Sequence, residues 1–218
     1  MKNNPIPRKH KRGFTLIELL VVIAILALLM SIIIITLNPA EMLRKARDTK
    51  RITDLSSIRT ALNLYMTDVV DPQLGTTTTC FVSLPSEAVG CTVTCGSAAI
   101  CRTGANLRLV TGAGWVPVNF NQISSGSPLS ALPVDPTNAT SSTYWLYYSY
   151  VADNTLKTFE LNANMESSYF RSTSTGVLAT DGGNTEKIYE VGSDPGLDLA
   201  TSATMFGATT SGTWYAAP

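Results

Sequence analysis

The sequence predicts an α+β protein, in which a long N-terminal α-helix packs on a C-terminal antiparallel β-sheet head. The first half of the helix is a transmembrane segment and the second half is amphipathic. Three observations predict this. Residues 14–37 form a run of 24 whose only charge is Glu18. Farther on, Ile52, Leu55, Ile58, Leu62 and Tyr65 recur at steps of three and four, the period of one helical face. Beyond Asp71-Pro72 the texture changes to Thr, Ser and Gly, with short β-rich pieces separated by turn residues.

Residues 1–13 contain Lys2, Arg8, Lys9, Lys11 and Arg12 and no acid. The positive-inside rule keeps such a leader in the cytoplasm and sends the chain after the span outward. The run 14–37 covers about 36 Å as a helix, enough for the roughly 30 Å hydrocarbon layer. It is too long for the apolar part of an ordinary secretory signal. The small residue that could mark a cut, Gly13, precedes the apolar run, so cleavage there leaves the helix at the start of the mature chain. An ionised Glu18 in such a span costs at least a few kcal/mol unless it is paired.

The stretch Gly13-Phe14-Thr15-Leu16-Ile17-Glu18-Leu19-Leu20-Val21-Val22-Ile23-Ala24-Ile25 resembles, without a break, the precursor motif of type IV pilins and of the pseudopilins of type II secretion. The resemblance implies a pilin-like fold. It implies that a prepilin peptidase cuts between Gly13 and Phe14 and N-methylates the Phe14 amine. It further implies that Glu18 serves assembly, with the Phe14 amine of a neighbouring subunit as its countercharge. Implied partners are identical or related pilin subunits, the prepilin peptidase and an inner-membrane assembly platform. The implied location is single-pass in the bacterial inner membrane before assembly, and in an extracytoplasmic or cell-surface filament afterward. A minor tip pilin, acting as an adhesion or DNA- and surface-binding module, is the alternative.

Asn38-Pro39 interrupts the helix, and a kink or local unwinding is expected at Pro39, because proline removes a backbone hydrogen bond and clashes with the preceding turn. A proline can also open a new helix at its first position. In the resembled family a proline in this region is associated with melting on assembly. The amphipathic continuation spans 38–70. Its basic cluster of Arg44, Lys45, Arg47, Lys50 and Arg51 is interleaved with Glu41, Asp48 and Asp54 and reads as a solvated, partly self-paired face.

Residues 71–106 read as a loop stapled through Cys80, Cys91, Cys95 and Cys101. An extracytoplasmic even count suggests two disulfides of open connectivity, and a four-thiolate zinc site is the rival. The sheet is expected over 107–192, with strands at 107–110, 115–120, 144–151, 156–165 and 187–191 and a turn at Asp153-Asn154. The aromatic strand reads as sheet core packed on the helix rather than as a base-stacking platform. The segments 132–138 and 159–166 resemble the heads of G-type pseudopilins and similar major pilins. In that group a later loop often holds calcium, and Asp194 with Asp198 forms the comparable acidic loop here, although an ordinary Asx turn is the better reading of it. The chain lacks the Asn-Pro-Trp-Gly segment of that group and carries the cysteine insert instead. Asn138-Ala139-Thr140 matches a glycosylation acceptor and suggests an exposed loop. The tail 193–218 is rich in Gly, Ser, Thr and Ala and reads as variable surface.

The formal net charge of the whole chain is zero, but all five basic residues of the leader are lost on cleavage. The remaining side chains carry 11 positive and 16 negative charges, and beyond Ile52 the balance is 6 to 13. An acidic head is unsuited to nonspecific nucleic-acid binding. His10 is the sole histidine and lies in the leader, which removes His-dependent catalysis and His-bearing metal sites from the mature chain. The sequence therefore describes a non-enzymatic subunit with no cofactor other than the calcium that the resemblance raises.

Overall fold

The computed structural model describes residues 13–75, 79–85, 98–102, 104–140, 145–172, 176–183 and 188–197. The chain divides into two compact units, Met1–Met42 and Leu43–Pro218.

In the first unit, α1 (Leu16–Leu37) begins at Thr15, whose extended backbone and side-chain oxygen make it the N-cap. By length and composition its residues Leu16–Ile34 suffice to cross a membrane, and none of them is buried. The helix ends at Asn38, in the left-handed region at φ 40°. A second helix, α2 (Pro39–Asp68), begins at the next residue. Asn38 serves both helices, since its carbonyl and its Oδ1 both accept the Glu41 N–H. Pro39 thus occupies a first-turn position, where a missing N–H costs nothing, instead of kinking a continuous helix.

In the second unit, α2 buries Asp48, Arg51, Leu55, Ile58, Leu62 and Tyr65, one face at steps of three and four. The sheet it covers comprises β1 (Thr79–Pro85), β2 (Ala98–Arg102), β5 (Tyr148–Asp153), β6 (Thr158–Ala163) and β7 (Tyr189–Gly192), in the order β2-β1-β5-β6-β7. Four strands run antiparallel, and β2 is added to β1 in parallel, which departs from the all-antiparallel expectation. A separate ribbon pairs β3 (Ala139–Thr140) with β4 (Trp145–Leu146). The inner face presents Phe81, Tyr148, Tyr150, Phe159, Leu161 and Val191 to the helix stripe in one hydrophobic core. The aromatic strand is therefore core, as its composition suggested.

Two sequence expectations fail here for identifiable reasons. Residues 107–110 and 115–120 are not strands, although Leu107, Trp115, Val116, Val118 and Phe120 are all buried. They form a coiled segment joined by one bridge, Thr111 to Asn119, and closed by a short 3-10 turn at Phe120–Gln122. Pro117 lacks the N–H that a ladder needs. Gly114 passes so near Leu109 that an added Cβ would collide with its carbonyl oxygen. Conversely, 71–106 is not only a loop. It supplies β1, an interior strand with Val82 and Leu84 fully buried.

Candidate functional site

The processing motif stands at the start of α1. Gly13 and Phe14 precede the helix, and Phe14 is 88% exposed. The helix starts where it does because of a capping box. The Glu18 carboxylate Oε2 accepts both the Thr15 backbone N–H and the Thr15 hydroxyl at 2.8 Å, while the Glu18 N–H donates to Thr15 Oγ1 at 3.3 Å. Gly13 and Phe14 therefore lie ahead of the first helical turn. Glu18 already has a partner within its own chain. Thr15 is the residue that sequence reasoning passed over, though Thr-x-x-Glu before an apolar run is its readable signature.

The second unit contains a site that the sequence did not suggest. Arg51 is fully buried. Its Nε and Nη2 bind Asp135 at 2.6 and 3.0 Å, and its Nη1 binds Asp48 and Glu166, each at 2.7 Å. Arg47 grips Glu166 from the other side in a second bidentate pair at 2.7 and 2.8 Å. Each carboxylate also captures backbone. Asp48 accepts the N–H groups of Glu166 and Ser167, and Asp135 accepts those of Thr137 and Asn138. One face of α2 is thereby tied to the loops at 135–138 and 166–167. Burial alone would raise the Glu166 pKa, but the Arg47 hydrogen bonds and the Arg51 charge outweigh it and hold it below the ordinary carboxylate value. Nearby, the Tyr148 hydroxyl donates to Asp54, and burial together with the Asp54 charge pushes its pKa up.

The basic cluster is the solvated, partly self-paired face that its charge run suggested only at Lys45 and Lys50, and Arg47 and Arg51 depart from it. Lys50 pairs with Asp54 at 2.9 Å and Lys45 lies over the Tyr169 ring at 4.7 Å, but Arg51 and Arg47 belong to the buried hub. The signal was present in the spacing, since 48 and 51 continue the stripe 55, 58, 62, 65.

The remaining candidates are dispersed. Cys80 is buried on β1 and disulfide-bonded. The Cys101 backbone lies in β2 opposite Val82, and Cys91 and Cys95 lie outside the described residues. Asp194 Oδ1 accepts the Gly196 N–H at 3.3 Å, which is an Asx turn, and Asp198 lies outside the described residues. The side chain of Asn138 is occupied: its Nδ2 donates to the Ser83 carbonyl and its Oδ1 accepts the Ser83 hydroxyl, both at 2.9 Å. Among the described residues no group of three His, Cys, Asp or Glu side chains could hold a metal.

Together these features define an α+β protein with an apolar N-terminal helix and a sheet head, consistent with a pilin-like fold. The family model of the prokaryotic N-terminal methylation motif matches residues 8–34, which supports placing the chain with the type IV pilin-like proteins. No curated protein and no solved structure gives a significant match.

Proposed function

We propose that the chain is a prepilin, a structural subunit of a type IV pilus or a type II secretion pseudopilus rather than an enzyme. The observation that carries this is the methylation motif placed at a helix start, with Gly13 and Phe14 outside the helix and Glu18 at its third position. Before assembly the subunit sits in the cytoplasmic membrane with its N-terminus inside. Prepilin peptidase removes residues 1–13 and methylates Phe14. On assembly the apolar helices exchange lipid for one another, and Glu18 exchanges its contact with Thr15 for the amine of a neighbouring Phe14. The buried amine neutralises the carboxylate in a medium where an unpaired charge is costly. The head is held in the oxidised state by bridges drawn from Cys80, Cys91, Cys95 and Cys101.

Expression of Glu18→Ala beside the wild type in a host that assembles filaments tests this reading. Membrane insertion is expected to be unchanged and sheared filament yield to fall sharply. Normal filament yield from the variant contradicts it.

A further inference from the structure

The edge strand β2 runs parallel to β1, with Thr79 opposite Ala98, Cys80 opposite Ala99 and Val82 opposite Cys101. Its far end is tied to the head, since Arg102 Nε donates to the Gly114 carbonyl at 3.3 Å and the guanidinium lies 5.7 Å from the centre of the Phe81 ring. Cys80 is buried and disulfide-bonded, so its partner is Cys91, Cys95 or Cys101.

Cys101 lies on the neighbouring strand, but the register holds it away from Cys80. It stands two residues along from Ala99, the residue opposite Cys80. Neighbouring strands are about 4.8 Å apart and rise about 3.3 Å per residue, which puts the two Cα atoms about 8 Å apart on the diagonal. Bridged cysteines keep their Cα atoms within about 6.8 Å, and beyond about 7 Å the backbone has to move. Movement of that kind would break the ladder that pairs β1 with β2.

The choice between Cys91 and Cys95 follows from the direction of the connection. Parallel strands need a crossover that returns the chain to its starting end. Residues 86–97, which lie outside the described residues, must lead from the end of the pair marked by Pro85 and Arg102 back to the end marked by Thr79 and Ala98. Cys95 precedes Ala98 by three residues, so it is within about 10 Å of the end where Cys80 stands. Cys91, six residues after Pro85, is left for Cys101, which adjoins Arg102 at the other end. Bonding Cys80 to Cys91 would instead leave Cys95 for Cys101. The chain would then have to double back within residues 96 and 97, because Ala98 to Cys101 already covers about 10 Å of strand.

We propose that Cys80 is bonded to Cys95 and Cys91 to Cys101. One bridge ties the crossover to β1 and the other ties it to β2, which fixes the register of an edge strand that a parallel ladder holds less firmly than an antiparallel one. Each bridge forms as two thiols give up two protons and two electrons to the disulfide of a thiol-oxidising protein, which becomes a dithiol. The pairing rests on the bridges proposed above for the head.

Digestion of the full chain without reductant, after alkylation of any free thiol to stop exchange, tests the pairing by mass spectrometry. A glutamate-specific protease cuts after Glu87, and thermolysin cuts ahead of Val93 and Ile100, so the four cysteines fall on four peptides. The expected products are one linked pair holding Cys80 with Cys95 and one holding Cys91 with Cys101, each lighter by two hydrogens than its separated halves. A peptide linking Cys80 to Cys101 or to Cys91 overturns the pairing and leaves the oxidised head intact. Four alkylated thiols overturn both.

Discussion

Replacing Arg51 by methionine removes a buried cation while keeping an unbranched side chain of similar length. Four hydrogen bonds go with it, two donated to Asp135 and one each to Asp48 and Glu166. Glu166 keeps Arg47, and Asp48 keeps the Glu166 and Ser167 amides. Among the described residues, Asp135 keeps the Thr137 and Asn138 amides, and both it and Asp48 become buried carboxylates with no ion pair. Breaking a buried pair from one side costs about 3–5 kcal/mol, a large share of the roughly 5–15 kcal/mol that holds an ordinary domain. With a urea slope of about 2 kcal/mol per molar, the midpoint should move down by about 2 M. Urea titration of the mature chain in detergent, followed by tryptophan fluorescence, measures it, because Trp115 is wholly buried next to Tyr148. Lys157→Ala is the control, since its pair with Asp71 is exposed and should be worth less than about 1 kcal/mol. A midpoint for Arg51→Met within error of the wild type would refute the view that the hub fastens α2 to the head.

Other outcomes follow from the same contacts. Glu166 has a lowered folded pKa, so its stabilisation is present above the ordinary glutamate value and is lost as pH falls through the folded one. Acid titration followed by circular dichroism should therefore show a steeper loss below about pH 4.5 in the wild type than in Arg51→Met. Gly114→Ala places a Cβ against the Leu109 carbonyl and should destabilise by more than about 1 kcal/mol in the same urea assay. Thr15→Val removes the capping hydroxyl and should cost the start of α1 about 1 kcal/mol, seen as faster exchange at residues 16–19.

The helix–sheet division was legible because its signals are local. A 24-residue apolar run, a three-and-four stripe and a tyrosine-rich strand each name their own structure. The stretch 107–120 misled for the same reason: its apolar residues are buried as a strand's would be, but Pro117 and Gly114 oblige the backbone to reach the core by another path. β1 was missed because its neighbours, Thr, Ser and Cys, look like loop, while its burial comes from pairing with β5, some 70 residues later. The hub was hidden for a related reason. Arg51 is 84 residues from Asp135 and 115 from Glu166, so no window of sequence shows them meeting.

As a prepilin, the chain would be cut between Gly13 and Phe14 to expose an amine that later meets Glu18. Intact-mass spectrometry of the protein purified from cells containing prepilin peptidase tests it most directly. The expected product is a chain beginning at Phe14, lacking residues 1–13 and carrying one added methyl group on its amine. A full-length chain, or one cut within or after the apolar run, would contradict it.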